Sequence, residues 1–389
     1  MSRAKVRVLQ ASQALKSWEP GTPFSLHFKQ LSRQNKAWGG RDRKEIQSLC
    51  YAWFRLGRAS RVFASAAIAI PWAAFLFIPD RSDWIASWKE EGDLPSHLIF
   101  EEDFDSRLTL FRTHFSFEAP LFPETDELSE TIPASGLDIS LAIPARLWFR
   151  VKPNASREFI AQLTKSSIPF EQDGLALGME GGTSLDQLFG ERLSGFGEVQ
   201  DWASQQVVRA FDWTGLRVWD ACSGAGGKAL QIAEEFTPSF LYCTDLRPAI
   251  LQNLQVRFRR SGQRVPEVQV INLSLNQLER NKVLFDALLC DVPCSGSGTF
   301  RRNPEGMQSV TKEEINRYAV LQEKIVKNTL SGLKKGGHLL YATCSVYRAE
   351  NEGHLPRFAA MGMDLVKAEY IDGREKGGDI LYYALFKKS

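Results

Sequence analysis

The sequence predicts an α/β chain whose C-terminal half is a doubly wound, mostly parallel sheet. A small α+β module and an N-terminal helical domain are expected to precede it. Three observations lead there. From about Gly197 onward, short apolar runs alternate with helically spaced segments, the pattern of parallel strands joined by crossover helices. Between Ala145 and Phe196 a strand-like run, a helical run and glycine-rich turns follow one another. The first 80 residues carry apolar positions at helical spacing. The domain limits read as 1–143, 144–198 and 199–389, and a length of 389 residues suits two or three domains.

Each element has its own warrant. Arg3–Trp18 and Arg43–Leu56 are helically spaced. The second places Ile46, Leu49, Cys50, Trp53 and Phe54 on one side, with Asp42 as its expected N-cap. Val62–Ile78 is almost wholly apolar. Pro71 interrupts it, Ala dominates it, and it falls short of the roughly 20 residues a membrane span needs, so it reads as buried helical core. Residues 118–143, with Pro120, Pro123 and Pro133, read as a connecting stretch with little regular structure. In the small module, Leu147–Val151 reads as a strand and Ser156–Lys165 as a helix. Beyond it, strands are expected at Leu216–Asp220, Phe240–Asp245, Val268–Leu273, Phe285–Asp291 and His338–Thr343. Helices are expected at Lys228–Phe236 and Pro248–Ser261.

Hydrophobic residues make up 43% of the chain and charged residues 24%, which excludes collagen-like and largely disordered classes. The net charge of +2 hides segregation. Residues 1–60 hold 12 Lys+Arg and 3 Asp+Glu, or +9, whereas residues 80–140 hold 4 and 15, or −11. The basic segment is a possible nucleic-acid footprint, or else a solvated helical face. The N-terminus lacks an apolar signal core. The six cysteines have no zinc-ligand spacing, so no metal is expected and the compartment is the reducing cytoplasm.

Four motifs carry chemistry. Asp220-Ala221-Cys222-Ser223-Gly224-Ala225-Gly226-Gly227-Lys228 follows a strand and opens a helix, where free N–H groups and small residues admit a ligand. Cys222 and Ala229 exclude a phosphate-binding P-loop. Asp245 ends the next strand and is placed to accept ribose hydroxyls, or to cap the following helix. These two features fit a nicotinamide dehydrogenase as well as an S-adenosylmethionine methyltransferase. Asp291-Val292-Pro293-Cys294-Ser295-Gly296-Ser297-Gly298, trailed by Arg301-Arg302-Asn303-Pro304-Glu305, sets an acid and a thiol at a strand's carboxyl edge. Tyr341-Ala342-Thr343-Cys344-Ser345, followed by Glu350-Asn351-Glu352, sets a second thiol in the same kind of place. Such a thiol is a nucleophile candidate, whereas Cys50, Cys243 and Cys290 read as buried hydrophobes.

These blocks, with Val199-Gln200-Asp201 and Ser204-Gln205, make residues 199–352 resemble the RsmB/NOP (Sun-type) RNA cytosine-5 methyltransferases. Upstream, residues 145–198 resemble the family's small RNA-binding module. Gly40-Arg41-Asp42-Arg43 and Cys50-Tyr51-Ala52-Trp53-Phe54-Arg55 are similar to a NusB-like helical domain. The chain departs from the family pattern where Gly224 and Ala225 replace Ala and Pro, where Asn272 replaces an acid, and at Asp379-Ile380-Leu381.

The resemblance implies a Rossmann-like methyltransferase domain that uses S-adenosylmethionine to form 5-methylcytosine in RNA, ribosomal rather than transfer RNA. Cys344 would be the nucleophile, with a depressed pKa, and Cys294 would assist release. Asp291 would hold or protonate the ring nitrogen, and Lys228 would donate to the base's carbonyl or lower a thiol pKa. Cofactor binding would fall to Cys222, Ser223, Gly224, Ala225, Gly226, Gly227, Lys228, Asp245, Asn272 and Asp291. Arg257, Arg259, Arg260, Arg301 and Arg302 are expected RNA contacts, with Phe258 offered for base stacking. The protein is expected to be cytoplasmic, monomeric and independent of membrane and metal. Two other functions fit the fold: an RNA-binding protein that has lost turnover, and a small-molecule methyltransferase.

Overall fold

The structure is a computed structural model that describes all residues except 79, 81, 100–102 and 276–283. The chain forms two compact units. One comprises Met1–Pro144 and Thr299–Lys312, the other Ala145–Gly298 and Glu313–Ser389.

The second unit holds two sheets. The smaller is antiparallel and contains β1 (Leu147–Val151), β2 (Phe170–Asp173), β3 (Ala176–Met179) and β4 (Gly197–Val199), in the order β2-β3-β1-β4. Phe149, Phe159, Leu163, Phe189 and Phe196 form its core beside the helix Ser156–Lys165. Arg150 is fully buried in β1. Its Nε donates to Gln200 at 2.8 Å and its Nη1 to Glu234 at 2.5 Å, the latter in the helix Gly227–Glu235. A buried arginine needs such partners. Here they fasten the small module to the large sheet, so the two segments the sequence separates at 198/199 share one unit.

The larger sheet has seven strands: β5 (Arg217–Asp220), β6 (Phe240–Asp245), β7 (Glu267–Val270), β8 (Phe285–Asp291), β9 (Leu333–Thr343), β10 (Met363–Asp372) and β11 (Ile380–Lys388). Their order is β10-β11-β9-β8-β5-β6-β7. Strands β5 to β9 run parallel, and β11 and β10 are antiparallel additions at one side. The central strands read as apolar runs because both faces are covered. Val218, Ala287, Leu289 and Leu340 face one core, and Trp219, Leu288, Cys290 and Leu339 the other. The chain turns from β5 to β6 on one side and later places β8 on the other side of β5. That reversal opens a crevice at the strands' carboxyl ends, where ligands of such sheets bind. The third expected strand, Val268–Leu273, is displaced to Glu267–Val270, and β9 begins five residues before the expected His338.

The first unit is helical, with helices at Arg3–Lys16, Phe24–Gln34, Gly40–Arg55, Ala66–Phe77, Ser82–Glu90, Phe104–Phe115 and Ala134–Ala142. The apolar run is the buried helix Ala66–Phe77, with Pro71 inside it. Among the described residues, no helix is long and apolar enough to cross a membrane. Two expectations need correction. Asp42 is not the N-cap: Gly39 occupies that place, and the Asp42 carboxylate accepts from the Gly39 N–H at 2.9 Å. The stretch 118–143 is not wholly irregular, because Ala134–Ala142 is a helix.

The two acids of the third helix, already counted in the +9, are both paired within the segment. Arg3, Arg7 and Arg41 converge on Glu45, which is 1% exposed, and Arg7 also bonds Asp42. Of the three, Arg7 is largely buried, whereas Arg3 and Arg41 remain exposed at their solvent side.

Residues 299–312, which follow the Cys294 turn, are built into this helical unit. Phe300 packs on Phe122 with ring centroids 5.4 Å apart. The Phe24 N–H donates to Glu305 at 3.1 Å, and Arg55 Nη2 donates to the Arg301 carbonyl at 3.2 Å.

Candidate active site

The carboxyl ends of β5, β6, β8 and β9 gather the motif residues. After β5 the glycine turn folds back on β6. The Ser223 N–H and hydroxyl both donate to the Thr244 carbonyl, at 2.9 and 3.1 Å. Gly224 and Gly226 have φ of +52° and +81°, the left-handed region that favours glycine. A Cβ on Gly226 would come within 2.6 Å of Leu254 Cγ, so this glycine also lets the helix Pro248–Arg260 pack closely.

Asp245, at the end of β6, accepts from the Gly224 N–H at 3.1 Å and from Arg247 through Nε at 2.9 Å and Nη2 at 3.0 Å. Burial works against its charge, but the Arg247 hydrogen bonds prevail and hold the carboxyl below the usual range. It does not cap the next helix, whose N-cap is Arg247. Asn272 turns its Oδ1 to the N–H and hydroxyl of Ser274, at 3.1 and 2.6 Å, and so braces its own loop. Burial pushes the Cys222 thiol well above the ordinary range.

Asp291 ends β8, and the Lys228 ammonium reaches it from the glycine-turn helix at 2.6 Å. Burial alone would lower the lysine pKa. The charge and hydrogen bond of Asp291 outweigh that, with further pull from Cys344 and Asp220, and hold it above the usual value. Asp220 lies behind the pair, 1% exposed. Its Oδ1 has no hydrogen-bond partner, and burial, with Asp291 adding, pushes its carboxyl up to about 8.

The two motif cysteines meet. β8 and β9 are adjacent parallel strands with Asp291 opposite Ala342, so the turns after them leave the sheet side by side. Cys294 Sγ and Cys344 Sγ are 3.3 Å apart, and both residues are half-buried. Gly298 locks the turns together: its N–H donates to the Cys344 carbonyl at 2.8 Å. The Cys294 thiol is pushed well above the ordinary range, first by its hydrogen bond to Cys344, then by burial.

Residues 214–375 match the family model of the 16S rRNA methyltransferases RsmB/F. Through this segment the chain is similar to the RsmB/F methyltransferases. It is 30% identical over 237 residues to ribosomal RNA small subunit methyltransferase B of Xanthomonas campestris, covering 58% of this chain and 53% of that one. It is also 30% identical over 284 residues to the protein of that name from Xylella fastidiosa, covering 66% and 64%. The chain thus spans about half to two thirds of these relatives' length. In fold it is similar to the crystal structure of PH0851, with a TM-score of 0.71, 17% identity, and coverage of 100% of this chain and 99% of that one. It is similar also to NSun6 from Pyrococcus horikoshii with SFG, with a TM-score of 0.59, 15% identity, and coverage of 66% and 94%.

The expected RNA contacts differ in exposure. Arg301 is 4% exposed, and its Nε donates to the Ser140 carbonyl at 3.0 Å, so it braces the helical unit instead of facing solvent. Phe258 is fully buried and cannot stack on a base. Arg257 is tied to Glu198 at 3.0 Å and lies 3.4 Å from the Ala225 carbonyl. Arg259, Arg260 and Arg302 are exposed. No group of three or more His, Cys, Asp or Glu able to hold a metal occurs among the described residues.

Proposed function

We propose that the protein is an S-adenosylmethionine-dependent RNA cytosine-5 methyltransferase acting on small-subunit ribosomal RNA. The observation that carries this reading is the pair of thiols 3.3 Å apart at the ends of adjacent strands, next to a Lys–Asp ion pair. A single nucleophile needs no second thiol. Cytosine methylation at carbon 5 has work for two, because one sulfur must add to the ring and a base must later strip the carbon-5 proton.

The residues at the crevice suit the cofactor. The glycine turn presents backbone N–H groups at a helix N-terminus, and Asp245 offers a carboxylate of the kind that binds a ribose diol. S-adenosylmethionine supplies the electrophilic methyl group when bound. Replacement of Asp245 by Ala is expected to weaken cofactor binding by about 10- to 100-fold, the worth of one or two charged hydrogen bonds, in a calorimetric titration.

The chain's own residues do the rest. Cys344 adds to carbon 6 of a cytosine drawn out of its stack, which makes carbon 5 nucleophilic. Asp291, in its protonated form, gives its proton to the ring nitrogen as charge builds there and takes it back when the adduct eliminates. After methyl transfer Cys294, or a water it orients, takes the carbon-5 proton. The carbon 6–sulfur bond then breaks and Cys344 leaves as thiolate.

Cys294→Ala is therefore expected to accumulate a protein–RNA adduct that survives denaturing electrophoresis, with turnover down by about 10³-fold or more. Bisulfite sequencing of 16S rRNA incubated with the wild-type protein and cofactor would locate the product. Absence of any new 5-methylcytosine in 16S rRNA or in 30S subunits would overturn the reading.

A further inference from the structure

Glu350 opens the Glu350-Asn351-Glu352 run and is fully buried. Its Oε2 accepts from the Ser295 N–H at 2.8 Å and from Gln322 Nε2 at 3.0 Å, and its Oε1 accepts from the Ser345 hydroxyl at 2.8 Å. Ser295 follows Cys294 and Ser345 follows Cys344, so one carboxylate binds the residue after each sulfur. The Ser295 hydroxyl lies 3.2 Å from that of Ser345 and closes the tie. Gln322, in the helix Lys312–Thr329, is itself fixed. Its Nε2 donates to the Pro293 carbonyl at 2.9 Å, and its Oε1 meets the Tyr341 hydroxyl at 3.2 Å and His354 Nε2 at 3.0 Å.

The electrostatics around the thiol pair are lopsided. Glu350 acts on Cys294, and Lys228 interacts with Cys344. The other titratable groups around them are Asp291, bonded to Lys228, together with Tyr341 and His354. Burial, with Arg357 adding, pushes His354 down to about 4, so it carries no charge at neutral pH. Burial pushes the Glu350 carboxyl up, its bonds to Ser295, Ser345 and Gln322 pull it back, and in its ionised form it separates two otherwise similar thiols.

We propose that Glu350 is a positioning residue that locks the two cysteine turns together and keeps the thiol pair's shared proton on Cys294, leaving Cys344 as the sulfur that attacks. The inference rests on the reading of Cys344 as nucleophile. On this proposal Cys294 is the donor in the hydrogen bond between the two sulfurs. Once Cys344 is a thioether, the main influence holding that proton is gone. Cys294 then releases it to solvent and becomes a base whose strength the neighbouring carboxylate sustains.

The test is alkylation of the full-length protein by iodoacetamide, without RNA, from about pH 6 to 9, with each cysteine followed by peptide mass spectrometry. In wild type, Cys344 is expected to react at least about tenfold faster than Cys294 near neutrality, because Cys294 is held in its less reactive thiol form. Glu350→Gln keeps the reach and removes the charge, so the ratio should fall towards unity and Cys294 should begin to react at lower pH. Glu350→Asp keeps the charge but shortens the reach. It should preserve the ratio while methylation slows by about tenfold.

A folded Glu350→Gln protein with an unchanged ratio and pH profile overturns the inference. If that variant does not fold, the wild-type order decides, and faster alkylation of Cys294 overturns it. Neither result touches the reading of the site. That reading is judged separately by mapping the wild-type RNA adduct, which fails it if the linked residue is Cys294.

Discussion

A Cys344→Ala protein is expected to lose methyl transfer by about 10⁴-fold or more and to form no covalent RNA adduct. Cofactor affinity in the same protein should stay within about threefold of wild type, since the change removes a reacting atom and leaves the glycine turn and Asp245 in place. The double measurement matters. Loss of turnover with intact cofactor binding places the defect in the chemical step, whereas loss of both would signal a damaged crevice. Substantial residual methylation would remove Cys344 from the nucleophile's role. Radiolabel transfer to 16S rRNA and calorimetry of the cofactor read the two quantities.

Gly298→Ala is expected to cost about 3 kcal/mol or more of stability, and most of the activity with it. A Cβ there would lie 2.0 Å from the Ile380 carbonyl oxygen and 3.0 Å from that of Cys344. Both are backbone atoms, so no side-chain rotation relieves the overlap. The Gly298 N–H also donates to the Cys344 carbonyl, so any retreat of the turn separates the cysteine loops. A loss of that size lowers the melting temperature by roughly 6–12 °C in a unit of this kind. A melting temperature within about a degree of wild type would show that the loop yields more easily than its contacts imply.

Much of the catalytic region was legible because its signals are local. β5, β6 and β8 are apolar runs that end in an acid, and the glycine turn and both cysteine motifs sit in sequence directly at strand ends. What could not be read depends on distant residues. Arg301-Arg302 beside the cysteine turn has the look of an RNA contact, yet Arg301 is bonded to Ser140, some 160 positions away along the chain. Phe258 among arginines resembles a stacking platform, but its helix turns it into the core. β10 was missed because its residues are largely exposed: Asp364, Lys367 and Glu369 interrupt any apolar alternation, and only pairing with β11 fixes it as a strand. Glu350 has no evident role in its motif, because nothing near it in sequence reveals that it binds serines from two different loops.

The insertion of residues 299–312 into the helical unit bears on how this protein can be cut or shuffled. The unit is discontinuous in sequence, so a break near Pro144 does not separate it from the rest. A fragment starting there would still carry Phe300 and Met307, apolar side chains stripped of their cover, and would present them to solvent. Lineages that exchanged the N-terminal helices for another domain would have had to remodel this segment at the same time. The two parts are therefore expected to be inherited as a pair, and side chains packed across that discontinuity, such as Phe122 and Phe300, to change together.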